Sequence, residues 1–298
     1  MQVEERPVAE RPPAPPTRTV GELASAPLTD RLFRIGLWVF IGTMAFSVAG
    51  TLLLKLVPST MAFFGPFYPT LVKSPTWTYM TLLPILPLLA YARTHPWPLL
   101  AFFALWGVLV GGMSELAGTA TGFPFGKYGY TEWLGPKILD EVPYFIPPSW
   151  FAMSLLSLDL AVRLTPRRYE RIAVASVLMV LWDVSLDPAM SRAFPFWSYP
   201  EGGFFFNMPI SNWAGWFVVS AVIVWGYEAI GGGLRATSRW APLLYTLNCA
   251  FPLMISLLEG LWVAVFAGAI ALAIPLLALA ARGERVFGGQ DRVLLPAA

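Results

Sequence analysis

Cysteine, histidine and charge are all scarce in this chain of 298 residues, and each scarcity removes a class of chemistry. One Cys and one His rule out an intrachain disulfide and any His/Cys metal spacing. Cys249, alone in an apolar run, reads as packing rather than as a thiolate nucleophile. Charged residues make up 13% of the chain against 56% hydrophobic, where a soluble domain is about a quarter charged. The net charge of +2 is scattered and leaves no nucleic-acid footprint. No Gly-rich phosphate loop of P-loop form occurs. With one His and one Cys, proton chemistry falls to Asp and Glu.

Long apolar runs are present instead, and mean hydropathy is +0.61. About 20 apolar residues span a bilayer as helix. Charge-free runs cover 35–54, 74–92, 96–114, 142–158, 202–227, 240–258 and 260–281, and 172–187 is a further run broken by two Asp. The expected fold is an all-α polytopic transmembrane bundle of about eight spans. Only Glu259 and Gly260 separate the last two, which leaves a tight hairpin or a partly re-entrant segment open. Residues 1–30, rich in Pro, are expected to form a disordered cytoplasmic tail without a removable signal peptide. Residues 31–283 form the membrane domain and 284–298 a short cytoplasmic C-terminal tail.

Alternating the connecting loops puts all but five of the 20 Lys and Arg residues on one side. The five are Lys55, Lys73, Lys127, Lys137 and Arg192. The basic side is expected to be cytoplasmic, with both termini inside and the bundle in the plasma membrane. His95 would then sit solvated in a short inner turn.

Six carboxylates lie in or beside the apolar runs: Glu115, Asp159, Asp183, Asp187, Glu228 and Glu259. Each costs a few kcal/mol at a bilayer centre unless paired, solvated or protonated. Asp159 stands four residues before Arg163, and an i,i+4 pair explains it. Glu228 and Glu259 are shallow enough to be solvated. Glu115 and Asp187 fall at the outer ends of their spans, with Asp183 one turn before Asp187 on the same face. A structural role, each acid bonding a neighbouring helix or Arg192, competes there with a catalytic one. Asp140, Glu141 and Glu201 are weaker loop candidates.

Two aromatic outer loops follow these acids. Phe123-Pro124-Phe125 with Tyr128 and Phe194-Pro195-Phe196 with Tyr199 share the pattern F-P-F-x-x-Y, eight residues after Glu115 and seven after Asp187. A parallel helix–loop–helix repeat of spans three–four and five–six accounts for this, and so does coincidence in a chain with 21 Phe and 28 Pro. Phe204-Phe205-Phe206 suggests backbone folded over the bundle to line a cavity.

Four segments carry a resemblance: GFPFGKYGYTEWLG at 122–135, VPYFIPPSW at 142–150, WDVSLDPAM at 182–190 and FFFNMPISNW at 204–213. They resemble the membrane carotenoid biosynthesis family whose members are carotenoid 1′,2′-hydratases. The resemblance implies addition of water to the ψ-end double bond of an acyclic or monocyclic carotene such as γ-carotene or lycopene, without a cofactor or metal. It implies a membrane-embedded carotenoid as substrate, the bilayer as surroundings and other carotenoid biosynthesis enzymes as possible partners.

Such a reaction needs a carboxylic acid as proton donor in a dry cavity and aromatic faces for the cation. Glu115 and Asp187 are the expected acid/base pair, tuned by Asp183. Trp182, Tyr128, Tyr199, Trp213, Phe125, Phe196 and Asn212 are the expected cavity residues. Two other classes stay open: a membrane carrier for a hydrophobic substrate, and a Mg²⁺-dependent prenyltransferase using the Asp183-x-x-x-Asp187 spacing.

Overall fold

The computed structural model of the protein describes residues 27–200 and 202–294. The described residues form eight long helices: α1 (Pro27–Leu56), α3 (Tyr68–Tyr91), α4 (Trp97–Thr121), α5 (Ile146–Leu164), α6 (Arg168–Pro188), α7 (Ile210–Ala229), α8 (Ala241–Leu258) and α9 (Trp262–Ala281). The short α2 (Met61–Phe64) joins α1 to α3. Six of them are long and apolar enough to cross a membrane, all except α3 and α5. Both exceptions have sequence reasons. Helix α3 carries Pro75, Pro84 and Pro87, whereas α5 carries Ser149, Ser154, Ser157 and Asp159, all buried. Residues 149–161 of α5 are buried on every face, and α3, α4, α6, α7 and α8 pack around it.

Glycine sets how closely α4 and α5 approach. Gly107 and Gly111 lie one turn apart on α4. A Cβ on Gly107 would fall 2.7 Å from Phe151 Cα, and one on Gly111 would fall 2.5 Å from Trp150 Cβ. Small residues at this spacing let backbones meet in a membrane. Glu115, one turn further on, is thereby carried against Trp150.

At one end of the bundle lie the loops 122–145 and 189–209 and the α8–α9 turn. That turn is a tight hairpin between two full helices: Gly260 takes φ +71 and Leu261 N donates to Ser256 O at 2.9 Å. Glu259 pairs with Lys55 there at 2.9 Å. The two aromatic loops join through an antiparallel ladder of β1 (Gly129–Tyr130) and β4 (Trp197–Ser198). Within the first loop β2 (Lys137–Ile138) pairs with β3 (Val142–Pro143), and Asp140 and Glu141 are exposed at its tip.

The opposite end departs from expectation at His95, which is buried rather than solvated, 4% exposed. Arg235 N donates to its Nε2 at 3.0 Å and Thr94 Oγ1 lies 2.8 Å from its Nδ1. Burial, then the Arg235 charge, push its pKa down to about 4. Glu228 is also buried and pairs with Arg171 at 2.9 Å. Asp159 meets Arg163 at 2.7 Å as its spacing predicts, and it also accepts from Tyr91 Oη and Ser238 N at 2.6 and 2.7 Å. Arg163 reaches Glu284 at 2.9 Å, and β6 (Arg292–Val293) pairs with β5 (Ala236–Thr237). The segment after α9 is thus docked on this end. Helix α1 begins inside the expected tail. Residues 1–26, Glu201 and 295–298 lie outside the described residues.

Candidate functional site

Glu115 ends the run of small residues on α4, and the chain then turns through Gly122 at φ +83. The loop that follows returns two tyrosines to the same carboxylate. Tyr128 Oη and Tyr130 Oη donate to Glu115 Oε2, the latter at 2.9 Å, and Trp150 Nε1 donates to Oε1 at 2.8 Å. The second hairpin repeats the device. After Asp187, α6 opens into a π-helical turn over 189–193, and the loop returns Tyr199 Oη and Trp197 Nε1 to Asp187 Oδ1 at 2.6 and 2.7 Å. Each F-P-F-x-x-Y tyrosine therefore binds the acid that precedes it. Their rings stand 6.4 Å apart.

Asp183 and Asp187 are each 1% exposed. Asn212 Nδ2 donates to Asp183 Oδ2 at 3.2 Å. Asp187 Oδ2 is buried with no direct hydrogen bond among the described residues, and the Ser191 hydroxyl is a further neighbour of this carboxyl. Arg192, the cation that could have neutralised these acids, is exposed. Among the described residues neither aspartate has an ion pair. Burial first, then the adjacent carboxylates, push the Tyr128 and Tyr199 hydroxyls well above their ordinary range, so both stay protonated and donate.

A cavity of about 580 Å³ brings Glu115, Asp183 and Asp187 together with Phe125, Tyr128, Trp182, Phe196, Tyr199 and Asn212. Trp213 does not line the cavity. Its ring packs edge-on against Phe204 and tilted against Phe205, with centroids 5.5 and 5.3 Å away, and its indole N–H is beside Asp183 from behind the cavity wall. Trp216, one turn later on α7, takes the inward position, 4.4 Å from Trp150 and 5.5 Å from Trp182.

Tyr130, Trp150, Trp197 and Trp216 are cavity residues beyond those picked from sequence. The first three lie in segments singled out there, and a search for donors near the F-P-F-x-x-Y motifs would have found Tyr130 and Trp197. Nothing local marks Trp216. The cavity continues along α1 and α3 past Ser47, Gly50, Val72 and Thr76 to a rim that includes Phe46, Leu53 and Met61, all exposed. Among the described residues, no group of three or more His, Cys, Asp or Glu side chains is placed to hold a metal ion.

A family model described as carotenoid biosynthesis protein matches residues 76–275, from α3 to α9. The chain is also similar to bisanhydrobacterioruberin hydratase of Haloarcula japonica, with 33% identity over 138 residues, 44% of this chain and 46% of that protein. The match thus spans about half the length of that relative. No solved structure matches.

Proposed function

Because this chain belongs to the carotenoid biosynthesis protein family, we propose that it is a carotenoid hydratase, adding water across the 1′,2′ double bond of a carotene ψ-end without a cofactor. One observation carries the reading: three buried carboxyl groups converge on a single cavity whose wall around them is mainly aromatic, with Phe125, Trp150, Trp182, Phe196 and Trp216. Protonation of a trisubstituted alkene at C2′ leaves a tertiary cation at C1′. That step asks for a carboxylic acid shielded from bulk water. The faces of Trp150, Trp182 and Trp216 can each stabilise the cation by on the order of 1 kcal/mol or more when desolvated. Water then attacks C1′ and yields a tertiary alcohol. Glu115, Asp183 and Asp187 are the carboxyl groups available for proton transfer and for stabilising the cation.

The apolar rim on α1 and α2 supports entry from the bilayer, with the rest of the polyene trailing past α1. On this reading the acid end faces outward and both termini are cytoplasmic, as the Lys and Arg distribution suggests.

The test is expression in a pigment-neutral host that makes γ-carotene or lycopene. The expected product is heavier by one water, carries ¹⁸O from labelled water at C1′, and gains deuterium at C2′ in D₂O. An isomer of unchanged mass would make the chain a cyclase. An unmodified carotene, redistributed between membranes, would make it a carrier. Loss of turnover on chelation, restored by Mg²⁺, would revive the prenyltransferase reading.

A further inference from the structure

The three acids of the cavity differ in what their surroundings offer them. Glu115 is met by three donors that occupy both of its oxygens. One of these is an indole N–H, which can only donate, and the two phenols are held protonated by burial and by Glu115 itself. Glu115 is therefore built as an acceptor. Asp187 has two donors on Oδ1 and the Ser191 hydroxyl as a further neighbour, and its Oδ2 is buried with no direct hydrogen bond among the described residues. Asp183 accepts from Asn212 Nδ2 at 3.2 Å, and the indole of Trp213, which has no closer partner among the described residues, is its other donor.

Asp183 and Asp187 lie one helical turn apart on one face, both buried and without an ion pair among the described residues. Burial and mutual repulsion disfavour charge on both carboxyl groups at once, so a single proton held by the pair is the favoured state. Placed on Asp183, that proton leaves Asp187 charged, the form that its indole, phenol and Ser191 neighbours favour. Placed on Asp187 Oδ2, it would neutralise the carboxyl and weaken Oδ1 as the acceptor of the indole and the phenol that donate to it.

We propose that Asp183 is the proton donor, held protonated against Asp187, and that Glu115 is the fixed negative charge that faces the cation. This assignment rests on the hydratase reading above and reverses the expected weighting, in which Asp183 only tuned the other two. The O–H bond of Asp183 breaks as the π pair of the 1′,2′ double bond forms the C2′–H bond. A lone pair of water then forms the C1′–O bond. The surplus proton of that water returns to the Asp183 carboxylate, so the sum is alkene plus water to tertiary alcohol and the pair is reset.

Two measurements on the full-length protein separate the roles. The first is hydration by Asp183→Asn, Asp183→Glu and Glu115→Gln variants. The second is binding of a terpenoid tertiary amine whose nitrogen occupies the place of C1′ and mimics the cation. Asp183→Asn should lose hydration by about 10²–10⁴-fold yet bind the amine as the parent does. Asp183→Glu should recover part of the rate. Glu115→Gln should lose at least tenfold in amine affinity.

Hydration by Asp183→Asn within about tenfold of the parent would overturn the assignment, as would amine binding that depends on Asp183 and not on Glu115. Should Asp183→Asn fail to insert, Asp183→Glu decides. Hydration with deuterium at C2′ supports the donor role, and a variant that binds the amine without any turnover ends it. If the parent itself forms no hydrated product, the hydratase reading fails first, and the donor assignment with it.

Discussion

Tyr130 and Trp197 are cross-strand partners in the two-residue ladder that joins the aromatic loops, with ring centroids 6.0 Å apart. They donate to different acids, Tyr130 to Glu115 and Trp197 to Asp187. The ladder thereby sets the spacing between the two acid centres, so the loops act on the site as one element.

Removing either donor should therefore disturb both centres. A hydrogen bond to a charged group is worth about 1.5–3 kcal/mol, and each 1.36 kcal/mol is tenfold in rate. Tyr130→Phe and Trp197→Phe are each expected to slow hydration by about tenfold or more with normal insertion. Because the rings are in contact, the double variant should deviate from additivity. Additive losses in a double-mutant cycle would mean that the loops act independently.

The close approach of α4 and α5 gives a second expectation. A methyl group at Gly111 would need the space held by Trp150 Cβ and Cγ, each 2.5 Å from it, and overpacking costs about 1–3 kcal/mol. Gly111→Ala should lower the melting temperature in detergent and push Trp150 off Glu115, so activity per folded molecule falls too. Gly42→Ala on α1, where nothing lies within 4 Å of the added carbon, should leave both unchanged.

The eight helices were legible because each apolar run is long and bounded by charge or Pro, and the acids stood out because charge is so rare between those bounds. Tertiary geometry was less accessible. Trp213 and Trp216 are indistinguishable by composition, and only the rotation of α7 decides that Trp216 faces inward. His95 looked solvated because it lies in a five-residue turn; the backbone of Arg235, distant in sequence, buries it. The link between the F-P-F-x-x-Y motifs could be suspected from their spacing to Glu115 and Asp187. The donors that complete it come from strand register, which two-residue strands do not announce.

Orientation can be checked by labelling. In a Cys249→Ala background, Lys127→Cys and Arg168→Cys lie at opposite ends of the bundle, both exposed. An impermeant thiol reagent applied to intact cells should label the first and reach the second only after lysis. Labelling of both from outside would overturn the alternation, and the reverse pattern would invert the orientation.

His95 predicts a pH dependence of stability. It is neutral in the folded protein until about pH 4, whereas an unfolded chain binds its proton near 6.5. Below 6.5 the unfolded state carries the extra proton, so stability falls as pH drops from 6.5 toward 4, and is insensitive to this group above 6.5. The melting temperature should decline over that window. His95→Gln should flatten the decline; an unchanged slope in that variant would assign the dependence to other groups.

Asp159 is the acid for which sequence and structure give different expectations of a substitution. From an i,i+4 pair with Arg163 alone, Asp159→Asn would cost little. In the fold, Asp159 has no exposure and joins Tyr91 on α3, Arg163 on α5 and Ser238 beyond α7, while Arg163 carries the connection to Glu284 after α9. Removing one partner of a buried ion pair costs about 3–5 kcal/mol where the other is left uncompensated, and Arg163 here retains Glu284 at 2.9 Å. The asparagine retains shape and can keep an oxygen toward Ser238 N, so the lower end is expected. Asp159→Asn should therefore reduce the amount of folded protein and its melting temperature, and leave hydration per folded molecule at the parental value, because Asp159 lies outside the cavity. A fall in specific activity at unchanged stability would instead connect this network to the chemistry at the other end of the bundle.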